Sequence, residues 1–264
     1  MCGVFGFAGK LTRREWQAAH RLMVELAVAS EERGTDAAGF AALTSKGELL
    51  WQRQPGPARE LFAKREFGAL SRRRVVMVIG HTRLATTGAP AVNGNNHPHL
   101  AGDLAGTWTW AVVHNGFIPC HEHKATALDL CLKSQCDSEI LAQVLARGGE
   151  AEGPETCLAL GGKQSVLAIN TRTRHLLAWT NGEMPLVAFR VDGSPSLWWA
   201  STEEIAREAL SAVGLRARFA AAQLGMVYRM EVSNGQVALK KMAGQTRAGG
   251  HGRRRHEETG GEHD

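Results

Sequence analysis

No run of residues in this chain is long and apolar enough to span a bilayer, which excludes a helical membrane protein. Arg13 and Arg14 lead into an amphipathic stretch rather than a continuous apolar one, so the first residues do not resemble a secretory signal. Cysteine is sparse. The five present (Cys2, Cys120, Cys131, Cys136 and Cys157) are odd in number and irregularly spaced, the pattern of reduced cytoplasmic thiols rather than a disulfide framework. No internal repeat and no interior linker rich in Pro, Gly or Ser divides the chain. Charge of one sign is also lacking. The formal net charge of +5 includes a local +2 from Lys240 onward, and the diffuse remainder does not form a nucleic-acid groove.

What is present is an ordinary globular composition, 44% hydrophobic and 22% charged in 264 residues, enough to bury a real core. Residues 4–8 are short, apolar and β-prone. Thr12-Arg13-Arg14-Glu15 fits a capping box, and Trp16, Ala19, Met23, Leu26 and Ala27 follow at helical spacing, with Gly34 suited to the stop. A hairpin is expected over 38–44 and 48–54 around Lys46-Gly47, then buried strands over 75–80 and 108–114. Helices are expected over 123–133 and 138–147, and strands over 165–170, 175–180, 186–191 and 197–200. A helix capped at Ser201-Thr202-Glu203-Glu204 runs to about 213, and a last hairpin over 226–232 and 236–241 turns at Asn234-Gly235. Runs of strands with helices in separate pairs predict two packed sheets covered by helices, an α+β fold. Residues 243–264 lack periodicity and apolar anchors and read as a disordered polar, basic tail beyond a domain of residues 1–242.

The stretch richest in chemistry is Met1-Cys2-Gly3-Val4-Phe5-Gly6. Removal of Met1 would give Cys2 both a thiol and a free α-amine, with ordinary pKa values of roughly 8.5 and roughly 7.7–8.0. A nucleophile and a base are then held together by covalent geometry. Four further clusters each have a structural alternative. Arg83, in Gly80-His81-Thr82-Arg83, can clamp a carboxylate or form an ion pair at a strand end. Asn93-Gly94-Asn95-Asn96-His97-Pro98-His99, with Cys120, His121 and His123, tempts a metal reading. The spacing fits no zinc pattern, so these residues are read as pocket-lining groups, with no metal and no cofactor expected. His114-Asn115-Gly116 supplies a side-chain amide and a neighbouring N–H, an oxyanion hole or an ordinary Asn-Gly turn. Asp137, in Cys136-Asp137-Ser138-Glu139, can bind an ammonium group or cap a helix.

Taken together, Cys2-Gly3-Val4-Phe5-Gly6, Arg33-Gly34-Thr35-Asp36-Ala37-Ala38-Gly39, His81-Thr82-Arg83 with Ala85-Thr86, Asn96-His97-Pro98-His99, Val113-His114-Asn115-Gly116 and Asp137-Ser138-Glu139 resemble a class II glutamine amidotransferase domain. That family belongs to the N-terminal nucleophile hydrolases. The motifs fall in family order over the first 140 or so residues. The resemblance implies a four-layer αββα sandwich and hydrolysis of L-glutamine to glutamate and ammonia. It implies Cys2 as nucleophile, with Asn115 and Gly116 holding the oxyanion. Arg83 would pair with the α-carboxylate and Asp137 with the α-ammonium, with Thr86 and His97 lining the pocket and Arg33-Gly34 in a closing loop. Leu84 and Thr87 stand where the aminosugar-synthase branch has Trp and His, while Thr35-Asp36-Ala37-Ala38 is nearer the phosphoribosyl-transferring branch. No synthase domain follows, so the expectation is a stand-alone glutaminase or one serving a separate ammonia-accepting synthase subunit. The alternatives are a γ-glutamyl amide hydrolase acting on another metabolite and an idle regulatory subunit. The oligomeric state is left open.

Overall fold

Side chains in β1 (Gly3–Ala8) alternate in the two-residue period of an extended strand. Val4 and Ala8 face one core, Phe5 and Phe7 another, and all four are fully buried. A strand buried on both faces requires layers on both sides, and the rest of the chain supplies them. The computed structural model describes residues 1–103, 106–233 and 236–242. The proposed tail and the Asn234-Gly235 turn lie outside these.

After β1 come α1 (Arg13–Ala29), a 3-10 turn (Ser30–Arg33), the hairpin β2 (Ala37–Thr44) and β3 (Leu49–Pro55), two short helices α2 (Ala58–Phe62) and α3 (Arg65–Leu70), and β4 (Val75–Arg83). A second 3-10 turn (Asn93–Asn95) precedes β5 (His99–Gly102) and β6 (Trp108–Phe117), then α4 (His121–Ala127) and α5 (Glu139–Ala159). The chain continues through β7 (Lys163–Asn170), β8 (His175–Thr180), β9 (Val187–Val191), β10 (Leu197–Ala200), α6 (Glu203–Ala212), β11 (Ala217–Ala221), β12 (Val227–Ser233) and β13 (Gln236–Met242).

The first sheet runs β11-β9-β10-β1-β4-β2-β3 and the second β13-β12-β8-β7-β6-β5, with the neighbours antiparallel. Between them, Val4, Leu43, Met77 and Ile79 of the first sheet meet Val113, Leu167, Ile169 and Met230 of the second. Gly6 permits this approach, because a β-carbon there would lie 2.8 Å from Leu167 Cδ1. Phe5, Phe7, Phe189 and Trp198 pack on the other face of the first sheet with residues of α1, α2, α3 and α6. Trp110, Val166 and Trp179 do the same on the second sheet with Ile140, Leu141, Val144 and Leu145 of α5. The result is the expected αββα sandwich. Among the described residues, no helix is long and apolar enough to cross a membrane.

The capping box at Thr12 and Glu15 forms in both directions, and the five apolar residues named on that helix are all buried. Several local expectations are corrected. Leu128 to Lys133 do not continue α4, since Asp129 adopts a left-handed φ of 52° that breaks a helix. His114-Asn115-Gly116 is not at a strand end but inside β6, paired with Val166, Ser165 and Gln164. Thr202, not Ser201, caps α6, its hydroxyl accepting from Ile205 N at 3.3 Å. The helices α2 and α3 and the strands β5 and β11 carry too little periodicity to be visible in the sequence.

Candidate active site

The register of the first sheet sets the site. Gly3 pairs with Thr82, and one step beyond that pair lie Cys2 on one strand and Arg83 on the other. Two tethers fix the start of β1. Ser201 Oγ accepts from Val4 N at 2.8 Å, and Arg33 Nε donates to the Cys2 carbonyl at 2.8 Å. The second Arg33 nitrogen lies 3.5 Å from the sulfur of Met1. Gly34 follows in extended backbone pressed against the end of β4; a β-carbon there would lie 2.3 Å from Leu84 N. Only glycine fits so close an approach.

The Cys2 thiol lies 3.5 Å from the Leu84 carbonyl. Burial pushes it above its ordinary value; the Leu84 backbone, the terminal amine and Arg83 pull it back, and Asp137 pushes it up. Two opposite charges therefore act on this sulfur, Arg83 from one element and Asp137 from another.

Arg83 is buried and held by its own loop. Its Nη1 donates to Asn96 Oδ1 at 2.8 Å, and its Nη2 donates to the carbonyls of Thr87 and Gly88. Of five N–H donors, these bonds leave two without a protein partner among the described residues. Asn96 is in turn fixed by donation to the Pro90 carbonyl at 2.8 Å. Asp36 ties down the same loop, accepting from Ala85 N at 2.7 Å. Thr86 sits exposed at the loop surface.

Asp137 is buried, but it does not cap α5: its Oδ2 accepts from Ile118 N at 2.6 Å, just past the end of β6. The residue that precedes α5 is Ser138, whose hydroxyl reaches His114 Nδ1 at 2.8 Å. His114 Nε2 lies 3.0 Å from the Lys163 carbonyl. A carbonyl only accepts, so Nε2 carries the proton. Burial lowers the His114 pKa, leaving a neutral ring whose Nδ1 accepts from Ser138. The His114 carbonyl takes a hydrogen bond from His81 Nε2 at 3.1 Å, linking the two sheets. Burial drives His81 down to about 3, so that ring is neutral too.

Beside His114, Asn115 is buried and its Nδ2 has no hydrogen-bond partner. A buried amide donor without a partner is uncommon and marks a place for a ligand acceptor. Gly116 has φ +152°, and a β-carbon there would lie 1.8 Å from Lys163 O, so glycine is required for β6 to pair with β7 here. His97 is buried with both ring nitrogens unpartnered, stacked 3.8 Å from His81. The structure thus draws Cys2, Arg33, Gly34, Arg83 and Asp137 around one strand start, with Asn115 and Gly116 on the facing sheet. Sequence reasoning missed the supporting roles of Asp36, Ser138 and Ser201, whereas Asn96 falls among the loop residues read as lining a pocket. An Asn-rich loop after a strand-end arginine was the one available signal.

A two-sheet sandwich with Cys2 immediately before its central strand is the arrangement that the resemblance to N-terminal nucleophile hydrolases implies. Over 148 residues the chain is 36% identical to a glutamine--fructose-6-phosphate aminotransferase of Pseudomonas putida, covering 55% of this chain and 22% of that protein. Over 199 residues it is 31% identical to the protein of the same name from Chlamydia pneumoniae, covering 71% of this chain and 30% of that one. The solved structure of glutamine phosphoribosylpyrophosphate amidotransferase from B. subtilis matches with a TM-score of 0.67 and 21% identity, over 91% of this chain and 49% of that chain. No family model matches. The chain spans less than a third of the length of these two curated relatives. Sequence and fold together place it with the class II glutamine amidotransferase domains.

Proposed function

We propose that this chain hydrolyses the side-chain amide of L-glutamine, with residues 1–242 forming the amidotransferase unit. The observation that carries the reading is the position of Cys2, its sulfur under the opposing influence of Arg83 and Asp137. A free amino acid presents a carboxylate and an ammonium group, and these two side chains are their complements. Removal of Met1 frees the Cys2 amine and releases the Arg33 nitrogen now beside the methionine sulfur.

The amine then takes the thiol proton, and the sulfur attacks the side-chain amide carbon. Negative charge gathers on the amide oxygen, where the unpartnered Asn115 Nδ2 and the Gly116 N–H stabilise it. Collapse breaks the carbon–nitrogen bond, the proton passes to the leaving nitrogen, and ammonia departs. Water, deprotonated by the same amine, cleaves the γ-glutamyl thioester, giving glutamate and the restored thiol. Arg33-Gly34 and Thr86 border the pocket, and His97 underlies it.

The ammonia is either released or taken by a separate synthase subunit. Five unpaired cysteines suit a reducing compartment such as the cytoplasm. Acid-quenched turnover followed by intact mass spectrometry tests the intermediate. A γ-glutamyl adduct that maps to Cys2 and is absent in Cys2→Ala is expected; an adduct on another residue would refute the assignment.

A further inference from the structure

The fold assembles a donor cluster that sequence spacing conceals. His97, His99 and Cys136 each offer one ligand atom, all within 4.8 Å of one another, and all three residues are buried. Neither ring nitrogen of His97 has a partner, nor does Nε2 of His99. The two rings meet edge to face with centroids 4.6 Å apart. The Cys136 thiol donates to the Asp137 carboxylate at 3.8 Å, and the Ser138 backbone and hydroxyl also act on its sulfur.

This cluster is built rather than incidental. Arg53 Nη1 donates to the carbonyls of Asn96 and Pro98 at 2.8 and 2.9 Å, fixing the segment that carries both histidines. Gln135 N donates to Asn95 Oδ1 at 2.9 Å, tying that segment to the turn that carries Cys136. Burying these imidazole nitrogens without partners is unfavourable, and each neutral ring has one nitrogen lone pair to offer a cation.

We propose that His97, His99 and Cys136 bind a borderline-soft divalent transition metal of the zinc class, and that its binding silences the adjacent glutamine site. Two imidazoles and a thiolate suit Zn2+, which keeps a fourth position for water or a carboxylate. A metal takes the two histidines as neutral imidazoles and Cys136 as a thiolate. Binding therefore exchanges the Cys136 proton, released to solvent, for a sulfur–metal bond. Tetrahedral metal bonds of about 2.0–2.3 Å set donors roughly 3.3–3.6 Å apart, so binding draws the widest pair together by about an ångström. Arg53 and Arg83 oppose a cation here; the thiolate and Asp137 offset them. The inhibitory half rests on the proposed glutamine reading: a cation beside Asp137 competes for the carboxylate that would hold the substrate ammonium.

Cobalt(II) titration of the full-length, untagged protein tests the site without reference to activity. The expected result is one Co2+ per chain with a thiolate-to-cobalt charge-transfer band that Zn2+ displaces. The band should be absent in Cys136→Ser, with binding weakened at least tenfold in His99→Gln, and should persist in Cys2→Ala. No band, or one that follows Cys2 instead of Cys136, overturns the site. Zn2+ should then suppress glutamine hydrolysis at least tenfold in the wild type and not in Cys136→Ser. Equal sensitivity of the two proteins would overturn the inhibitory coupling while the cobalt result stands. Metal-free protein inert toward glutamine would count against the glutaminase reading and leave the cobalt result standing.

Discussion

The Ser201 hydroxyl meets both backbone groups of Val4, accepting from its N–H at 2.8 Å and lying 3.3 Å from its carbonyl oxygen. Residues 197 positions apart in sequence thus fix the strand start two residues from Cys2. Ser201→Ala would leave the Val4 N–H buried without its acceptor, at a cost of about 1–3 kcal/mol. Urea unfolding should show that loss; an unchanged midpoint would mean Val4 finds another partner.

Gly34 and Gly68 make a matched pair for a second prediction. A β-carbon at Gly34 would meet Leu84 N at 2.3 Å and Arg83 O at 2.5 Å, whereas one at Gly68 would meet nothing within 4 Å. Gly34→Ala should cost about 1–3 kcal/mol by overpacking and raise KM for glutamine several-fold, because Arg83 and Leu84 must move. Gly68→Ala, in a helix, should be neutral or stabilising by up to about 1 kcal/mol. Equal effects of the two changes would remove the close approach as the explanation.

Asn115 and Asp137 should separate kinetically. Asn115→Ala removes a donor needed only when charge develops on the oxygen, so kcat should drop by about 10²–10³ with KM little changed. Asp137→Asn keeps an oxygen for Ile118 N but loses the charge that meets an ammonium group, so KM should rise more than kcat falls. The reverse pattern would exchange their roles.

The short apolar strand β1, the capping box on α1 and the limits of β10 were legible because each depends on neighbours in sequence. The six motifs named the candidate site residues in order for the same reason. What stayed hidden depends on distant contacts. Asn115-Gly116 reads locally as a turn, yet it runs on as strand because Gly116 lets Lys163 O approach where no side chain could. Asp137 reads as a cap, yet its carboxylate serves Ile118. His97 and His99 show no metal spacing with Cys136, since the segments that carry them are joined by Asn95 and Gln135.

The acidity of Cys2 gives a prediction in pH. Burial raises the thiol above its ordinary value, so with Met1 attached the thiolate fraction at neutral pH is below that of free cysteine. Iodoacetamide should therefore modify Cys2 slowly at pH 7 in that form, with the rate still rising beyond the ordinary thiol range. Loss of Met1 supplies the amine base and should speed alkylation near neutrality. Identical pH profiles for the two forms would argue that the amine does not act on the thiol.

The most direct test is ammonia release from L-glutamine by protein whose intact mass confirms loss of Met1, beside the Met1-retaining form and Cys2→Ala. Turnover by the processed protein alone is the predicted result. Ammonia release by Cys2→Ala, or none from correctly processed metal-free protein, would contradict the account.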